Sequence, residues 1–214
     1  MDKYRAKTAY QQADEANTYD AARFVSAKGR MTDSLEKKAI LKALRYVPPG
    51  ARILDVPCGT GRITEFLLNL GYRVVGADIS EPMMAHAKKA LAEHPSMEAF
   101  YLADAESLPF KEGEFDAVTS IRFSNHVPPE IRLRVLSEMR RVSNGPIIIS
   151  YCNPNSLSAM KRRLKALFRR PHAPWNPASR RTVAREASQA GLRITRGYAI
   201  LPCVSETVVY VLEK

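Results

Sequence analysis

Residues Ala51 to Leu70 read ARILDVPCGTGRITEFLLNL, and the order of elements within them decides the fold. Ile53, Leu54 and Val56 form a short apolar run around Asp55, with strand character. The chain then turns through Pro57-Cys58-Gly59-Thr60-Gly61. It continues with apolar residues at Ile63, Phe66, Leu67 and Leu70, which is helical spacing. Strand, glycine turn and helix in succession let a backbone come close to a bound ligand, because Gly59 and Gly61 carry no side chain. Tyr72 to Asp78 (YRVVGAD) reads as a second strand ending in a carboxylate. Asp78 lies 17 residues after Gly61, near the spacing at which an acidic residue meets a ribose in dinucleotide folds.

The pattern repeats along the chain. The spacing predicts a helix over 81–93, a short strand near 97–102 ending at Ala103-Asp104-Ala105, and a strand over 115–120. A helix over 128–142 and a continuous apolar strand over 146–152 follow, the latter patterned for burial on both faces. Strands alternating with helices imply a parallel sheet covered on both sides. The end departs from this. Segments 192–200 and 205–212 both read as strands, but only Leu201-Pro202-Cys203-Val204 separates them. A parallel crossover needs a dozen or more residues, so these two strands are expected to be antiparallel neighbours. Before the core, Met31 to Val47 reads as a helix with Thr32 as N-cap and Pro48-Pro49-Gly50 as its stop, its charges forming a solvated face. Residues 1–30 show no long periodicity and are expected to form short helices and loops.

A length of 214 residues and an apolar content of 45% fit one domain with a substantial core. No apolar run reaches the ~18 residues of a membrane span, and the polar N-terminal residues lack a secretion signal's apolar segment. The three cysteines, Cys58, Cys152 and Cys203, have no metal-ligand spacing, so the expectation is a cytoplasmic protein with free thiols and no metal. A net charge of +11 points to an anionic partner, or simply to solubility.

LDVPCGTGR (54–62), GADIS (76–80) and LADAESLPF (102–110) together resemble the cofactor motifs of class I S-adenosylmethionine-dependent methyltransferases. They are most similar to the small-molecule branch typified by ubiquinone and menaquinone biosynthesis enzymes. The resemblance implies an α/β, Rossmann-like, seven-stranded and mostly parallel sheet with an antiparallel C-terminal strand and helices on both faces. It divides the single domain into an N-terminal lid and helix (1–50), a cofactor-binding core (51–152), a basic substrate-covering insertion (153–177), and a C-terminal helix with two strands (178–214).

The cofactor implied is S-adenosylmethionine, leaving as S-adenosylhomocysteine. Asp55, Cys58, Gly59, Thr60 and Gly61 would form the turn at its amino acid portion, with Asp55 orienting that turn or reaching the methionyl ammonium. Asp78 would accept the ribose hydroxyls, as an ionised carboxylate offers two acceptor oxygens. Ile79 and Met83 would pack on the adenine, and Asp104 and the Ala105 N–H would read its edge. Ser120, Ile121 and Arg122 would line the methyl-donor end. His126, in the loop after the fourth strand, is the candidate general base for a hydroxyl acceptor. Tyr19, Phe24 and Arg30 are candidate lid contacts. Pro57 departs from the family, which usually has glycine there. The competing nicotinamide fingerprint wants glycine or alanine where this chain has Thr64.

From Ser150 to Arg185 there is no acidic residue. Within this stretch Leu157, Met160, Leu164, Leu167 and Phe168 share one helical stripe among cations, and Trp175 follows. The segment reads as a cover over an anionic acceptor, as an amphipathic helix on an anionic membrane at the inner surface, as a nucleic-acid groove with Trp175 for stacking, or as a merely solvated cover. Asn153-Pro154-Asn155 falls one strand too late for the amino-directed nucleic-acid signature, making nucleic acid the weaker partner. The function expected is methyl transfer to a small-molecule or lipid-linked acceptor at a hydroxyl. The alternatives are an RNA or protein methyltransferase, or a cofactor-binding accessory protein without transfer activity.

Overall fold

The computed structural model describes residues 26–168 and 175–214. Tyr19, Phe24 and His172 lie outside the described residues, as do the side chains of Leu167 and Phe168. In chain order the elements are α1 (Ala27–Ala43), a 3₁₀ turn (Leu44–Tyr46), β1 (Arg52–Asp55), α2 (Arg62–Asn69), β2 (Arg73–Asp78), α3 (Glu81–Leu91), β3 (Met97–Leu102) and β4 (Ala117–Ser120). A second 3₁₀ turn (Ser124–His126), α4 (Pro129–Val142), β5 (Ile147–Cys152), α5 (Leu157–Phe168), α6 (Arg180–Gln189), β6 (Arg193–Ala199) and β7 (Thr207–Glu213) complete it.

One seven-stranded sheet has the order β3-β2-β1-β4-β5-β7-β6. The first five pair in parallel. β7 inserts between β5 and β6 and runs antiparallel to both, as the short link before it requires. Successive strand residues point to opposite faces, so each strand feeds two cores. Leu54, Val75, Val118 and Ile149 face a layer built with α4 and α6, through residues such as Leu136, Met139 and Val183. Ile53, Val74 and Ile148 face a layer built with α1 and α2, through Ile40, Ile63 and Leu67. This double burial explains why β5 is a continuous apolar run rather than an alternating one.

Two expectations about the first helix are corrected. It starts at Ala27, because the Ser26 hydroxyl caps it by accepting from the Gly29 N–H at 3.0 Å. Thr32 sits inside the helix and donates to the Lys28 carbonyl instead. Nor are its charges all solvated: Glu36 is 0% exposed. It occupies the same stripe as Ala39, Ile40 and Ala43, and what it meets there belongs to the site.

Candidate functional site

In an open α/β sheet the ligand crevice lies beyond the carboxyl ends of the strands, where the strand order reverses. Here that point falls between β1 and β4, the adjacent strands whose followers lead to opposite ends of the sheet. The β1 turn passes through a cis Val56–Pro57 bond and two left-handed glycines, Gly59 (φ +55°) and Gly61 (φ +89°). Their surroundings differ. A Cβ on Gly59 would have nothing within 4 Å, whereas one on Gly61 would stand 2.8 Å from Leu91 Cδ1 and 3.0 Å from Ala87 Cβ. Gly61 therefore lets α2 lie against α3, while Gly59 keeps its backbone open to the crevice. Gly61 is also the N-cap of α2 and supplies no side-chain cap to its first N–H groups.

Asp78, at the end of β2, is 5% exposed. One carboxylate oxygen accepts from the Gly59 N–H and the other from the Ser80 N–H, both at 2.8 Å. The β1 and β2 turns are thereby tied to one carboxylate. Helix capping falls to Ser80, whose Oγ accepts from the Met83 N–H. Burial holds Asp78 above the ordinary carboxylate range against the N–H groups that favour its charge.

Asp55 is buried beneath the same turn. Its oxygens accept from the hydroxyls of Thr64 and Thr119, each at 2.8 Å. Burial pushes its pKa up to about 6, against the pull of those two hydroxyls. Thr64, the residue that departs from the nicotinamide fingerprint, is thus the partner of Asp55. Cys58 is buried between Asp55 and Asp78; burial and those charges push its thiol well up. Its N–H donates to the Ala77 carbonyl at 2.9 Å. Thr60 is half-buried in the turn.

Past β3, the Asp104 carboxylate accepts from the Glu106 N–H at 3.0 Å and its carbonyl from the Ser107 N–H at 2.9 Å, making a compact turn that buries Ala105. Met83 is buried and Ile79 half-buried at the adjoining end of β2. All of these residues lie on the β1–β3 side of the crevice.

The β4 side is built differently. Ser120 is fully buried, and its hydroxyl has no hydrogen-bond partner among the described residues. Arg122 has a left-handed backbone (φ +63°), and its N–H donates to Ser150 Oγ at 2.6 Å. Its Nε lies 2.9 Å from both oxygens of Glu36, which also takes Arg62 Nη2 at 2.6 Å. Arg62 pairs with Asp33 as well. A buried carboxylate on α1 thus joins the arginine after the β1 glycine turn to the arginine after β4. Arg30 is exposed on α1, six residues before Glu36.

His126 is half-buried at the end of its 3₁₀ turn, and its N–H donates to the Phe123 carbonyl at 2.9 Å. That loop is held from behind by Arg132, which is 4% exposed. Arg132 makes two hydrogen bonds to Glu186, at 2.9 and 2.6 Å, and donates to the carbonyls of Ser124, Val127 and Asn176. Glu36, Arg62, Arg132 and Glu186 are absent from the sequence-based site. The signal that marks three of them is positional: Glu36, Arg132 and Glu186 each take a place on the apolar stripe of their helix, where a charge is too costly without a partner.

Residues 53–144 match the family model described as a methyltransferase domain. The demethylmenaquinone methyltransferase of Beutenbergia cavernae is 38% identical over 139 residues, covering 64% of this chain and 54% of the relative. The ubiquinone biosynthesis O-methyltransferase of Xanthomonas campestris is 33% identical over 92 residues, covering 42% of this chain and 38% of the relative. Residues 53–144 are thus similar to a methyltransferase domain. The chain spans about half the length of the first of those relatives. The magnesium protoporphyrin IX methyltransferase of Synechocystis, solved with S-adenosylhomocysteine, superposes with a TM-score of 0.76 at 18% identity, over 97% of this chain and 99% of that one. At that identity the likeness is one of fold.

The residues around the crevice suit S-adenosylmethionine. An open glycine backbone, an uncapped helix start, a buried acid held by backbone N–H groups, and an orphaned buried serine hydroxyl lie along one crevice. Among the described residues no cluster of His, Cys, Asp and Glu could hold a metal, and the three thiols are free. No helix among them is long and apolar enough to cross a membrane.

Proposed function

We propose that this chain, working as one domain, transfers a methyl group from S-adenosylmethionine to a small-molecule or lipid-linked acceptor, at a hydroxyl oxygen. The observation that carries the site assignment is Asp78: a buried carboxylate at the tip of β2, held by the backbone N–H groups of Gly59, Ser80 and Ile79, whose remaining acceptor capacity is for the ribose hydroxyls. Asp104 and the Ala105 N–H meet the adenine edge, and Ile79 and Met83 wall its face. The turn of Cys58, Gly59, Thr60 and Gly61, with no side chain at its two glycines, lets the methionyl carboxylate approach the first N–H groups of α2. Asp55, held by two threonine hydroxyls, orients that turn rather than reaching the ligand.

The cofactor supplies a carbon already activated by its sulfonium. The protein's part is alignment and exclusion of water. Ser120, Ile121 and Arg122 line the donor end, and Glu36 holds Arg122 in place. His126 accepts the proton of the acceptor hydroxyl as its oxygen attacks. Arg30, exposed on α1, serves as a lid contact. The demethylmenaquinone methyltransferase relative supports a quinone-type acceptor, and the ubiquinone biosynthesis O-methyltransferase supports transfer to oxygen. The chain's +11 charge supports an anionic group on it.

Titration calorimetry with the cofactor, followed by turnover on substituted catechols and hydroquinones, tests this. Two hydrogen bonds to a charged acceptor are worth about 1.5–3 kcal/mol each, so Asp78→Ala should weaken cofactor binding at least about hundredfold. His126→Ala should leave that affinity alone and slow turnover about hundredfold or more. Near-normal affinity in the first variant removes the site assignment, and unchanged turnover in the second removes the base. Tight cofactor binding by the native chain with no transfer to any hydroxyl, amine or RNA probe would mark an accessory protein.

A further inference from the structure

We propose that α5 is a docking surface for an anionic phospholipid bilayer, on which the helix lies flat with its apolar stripe in the interface. Its residues do not behave like a helix packed on a protein. Among its described side chains only Ala159, besides the preceding Ser156, is buried, and every one from Met160 to Ala166 is exposed. The contacts with the body are at the helix start, where the N–H groups of Leu157 and Ser158 donate to the carbonyls of Cys203 and Val204 at 3.0 and 3.1 Å. Farther along, Arg162 pairs with Glu206. A twelve-residue helix is marginal in water unless an apolar face is covered.

The uncovered face is defined. Leu157, Met160 and Leu164 are 51%, 59% and 60% exposed, and Val204 beside the helix start is 47% exposed. At ~100° per residue, the three helical residues share an arc of about 60°. Lys161 and Lys165 border that arc on one side and Arg163 on the other. Apolar side chains between flanking cations, with no acid from Ser150 to Arg185, form the pattern of an interfacial helix. Lysine and arginine stems can lie along the stripe while their charges reach phosphate.

RNA fits the structure less well. It would use the cations but leave the stripe in water, and it would need an open aromatic face for stacking. Trp175 does not offer one: it is half-buried, Arg162 lies over its ring at 5.3 Å, and its Nε1 is buried.

Cofactor affinity and lipid binding are read on the same samples. The full chain is sedimented with vesicles of phosphatidylcholine alone and with phosphatidylglycerol added, over a salt series. A single-stranded RNA oligonucleotide is titrated in parallel. Pelleting should require phosphatidylglycerol and weaken with salt. The triple substitution Leu157→Ser, Met160→Ser, Leu164→Ser and the triple substitution Lys161→Glu, Arg163→Glu, Lys165→Glu should each reduce it more than about tenfold, since one cation near such a surface is worth about fivefold. Both should keep native cofactor affinity, because the changed side chains are exposed. No pelleting with phosphatidylglycerol, pelleting indifferent to the serine substitutions, or tight RNA binding that ignores them overturns the proposal. Loss of cofactor binding by the native chain would instead strike the transfer reading and leave this one standing.

Discussion

The two sides of the crevice are built by different means. On the β1–β3 side, many of the positioning hydrogen bonds are short-range: Asp78 takes an N–H two residues on, Asp104 does the same, and Ser80 caps the helix that follows, while Gly59 reaches Asp78 across 19 residues and Thr119 reaches Asp55 across 64. On the β4–β5 side the decisive contacts span long stretches of chain. Glu36 reaches Arg122 across 86 residues, and Arg132 reaches Glu186 across 54. The first side is completed once β1, β2 and β4 have paired. The second exists only once α1 and α6 have docked on opposite faces of the sheet.

This contrast predicts its largest effect at Arg132. Arg132→Met strands a buried Glu186 carboxylate and should cost about 3–5 kcal/mol in urea unfolding, while the double variant Arg132→Met, Glu186→Leu should recover most of that loss. A double variant no more stable than the single one would mean that the loop-carbonyl contacts, not the ion pair, hold the β4 side.

The glycines sharpen the comparison within the other side. Gly61→Ala combines left-handed backbone with overpacking against α3 and should cost about 2–4 kcal/mol. Gly59→Ala carries the backbone term alone, about 1–2 kcal/mol, but its methyl group enters the crevice. Cofactor affinity relative to stability should therefore fall more for Gly59→Ala. Equal losses of affinity from the two would show that the Gly59 backbone does not face the ligand.

The smallest effect concerns pH. The Asp55 pKa is raised from 3.8 to about 6, so the folded chain holds a proton there that the unfolded chain has released. Its stabilising contribution is complete below about 3.8 and is lost as pH rises through about 6. Thermal melts should show native stability falling relative to Asp55→Asn over that window and running parallel above it. A difference constant from pH 4 to 7 would place the Asp55 pKa in the ordinary range.

Much of the fold was legible because its signals are local. Gly59 and Gly61 between an apolar strand and a helical stripe, and a four-residue link before β7, specify geometry without reference to distant chain. Asp55, Asp78 and Asp104 stand at strand ends where sequence reading expects them. Glu36, Arg132 and Glu186 were not legible as a set, although each interrupts an apolar stripe. A sequence shows that such a charge needs a partner and cannot show which one it finds.

The sequence by itself determined the strand-turn-helix order, the antiparallel ending and the residues at each strand tip, because hydrophobic period, glycine φ and link length act within a few residues. Only the tertiary structure decided that Glu36 would join Arg62 to Arg122, that Thr64 would hold Asp55, and that the stripe of α5 would be left uncovered. Partner choice among buried charges, and exposure of an apolar face, depend on which surfaces meet when the layers close. That is a property of the packed chain and of no single segment.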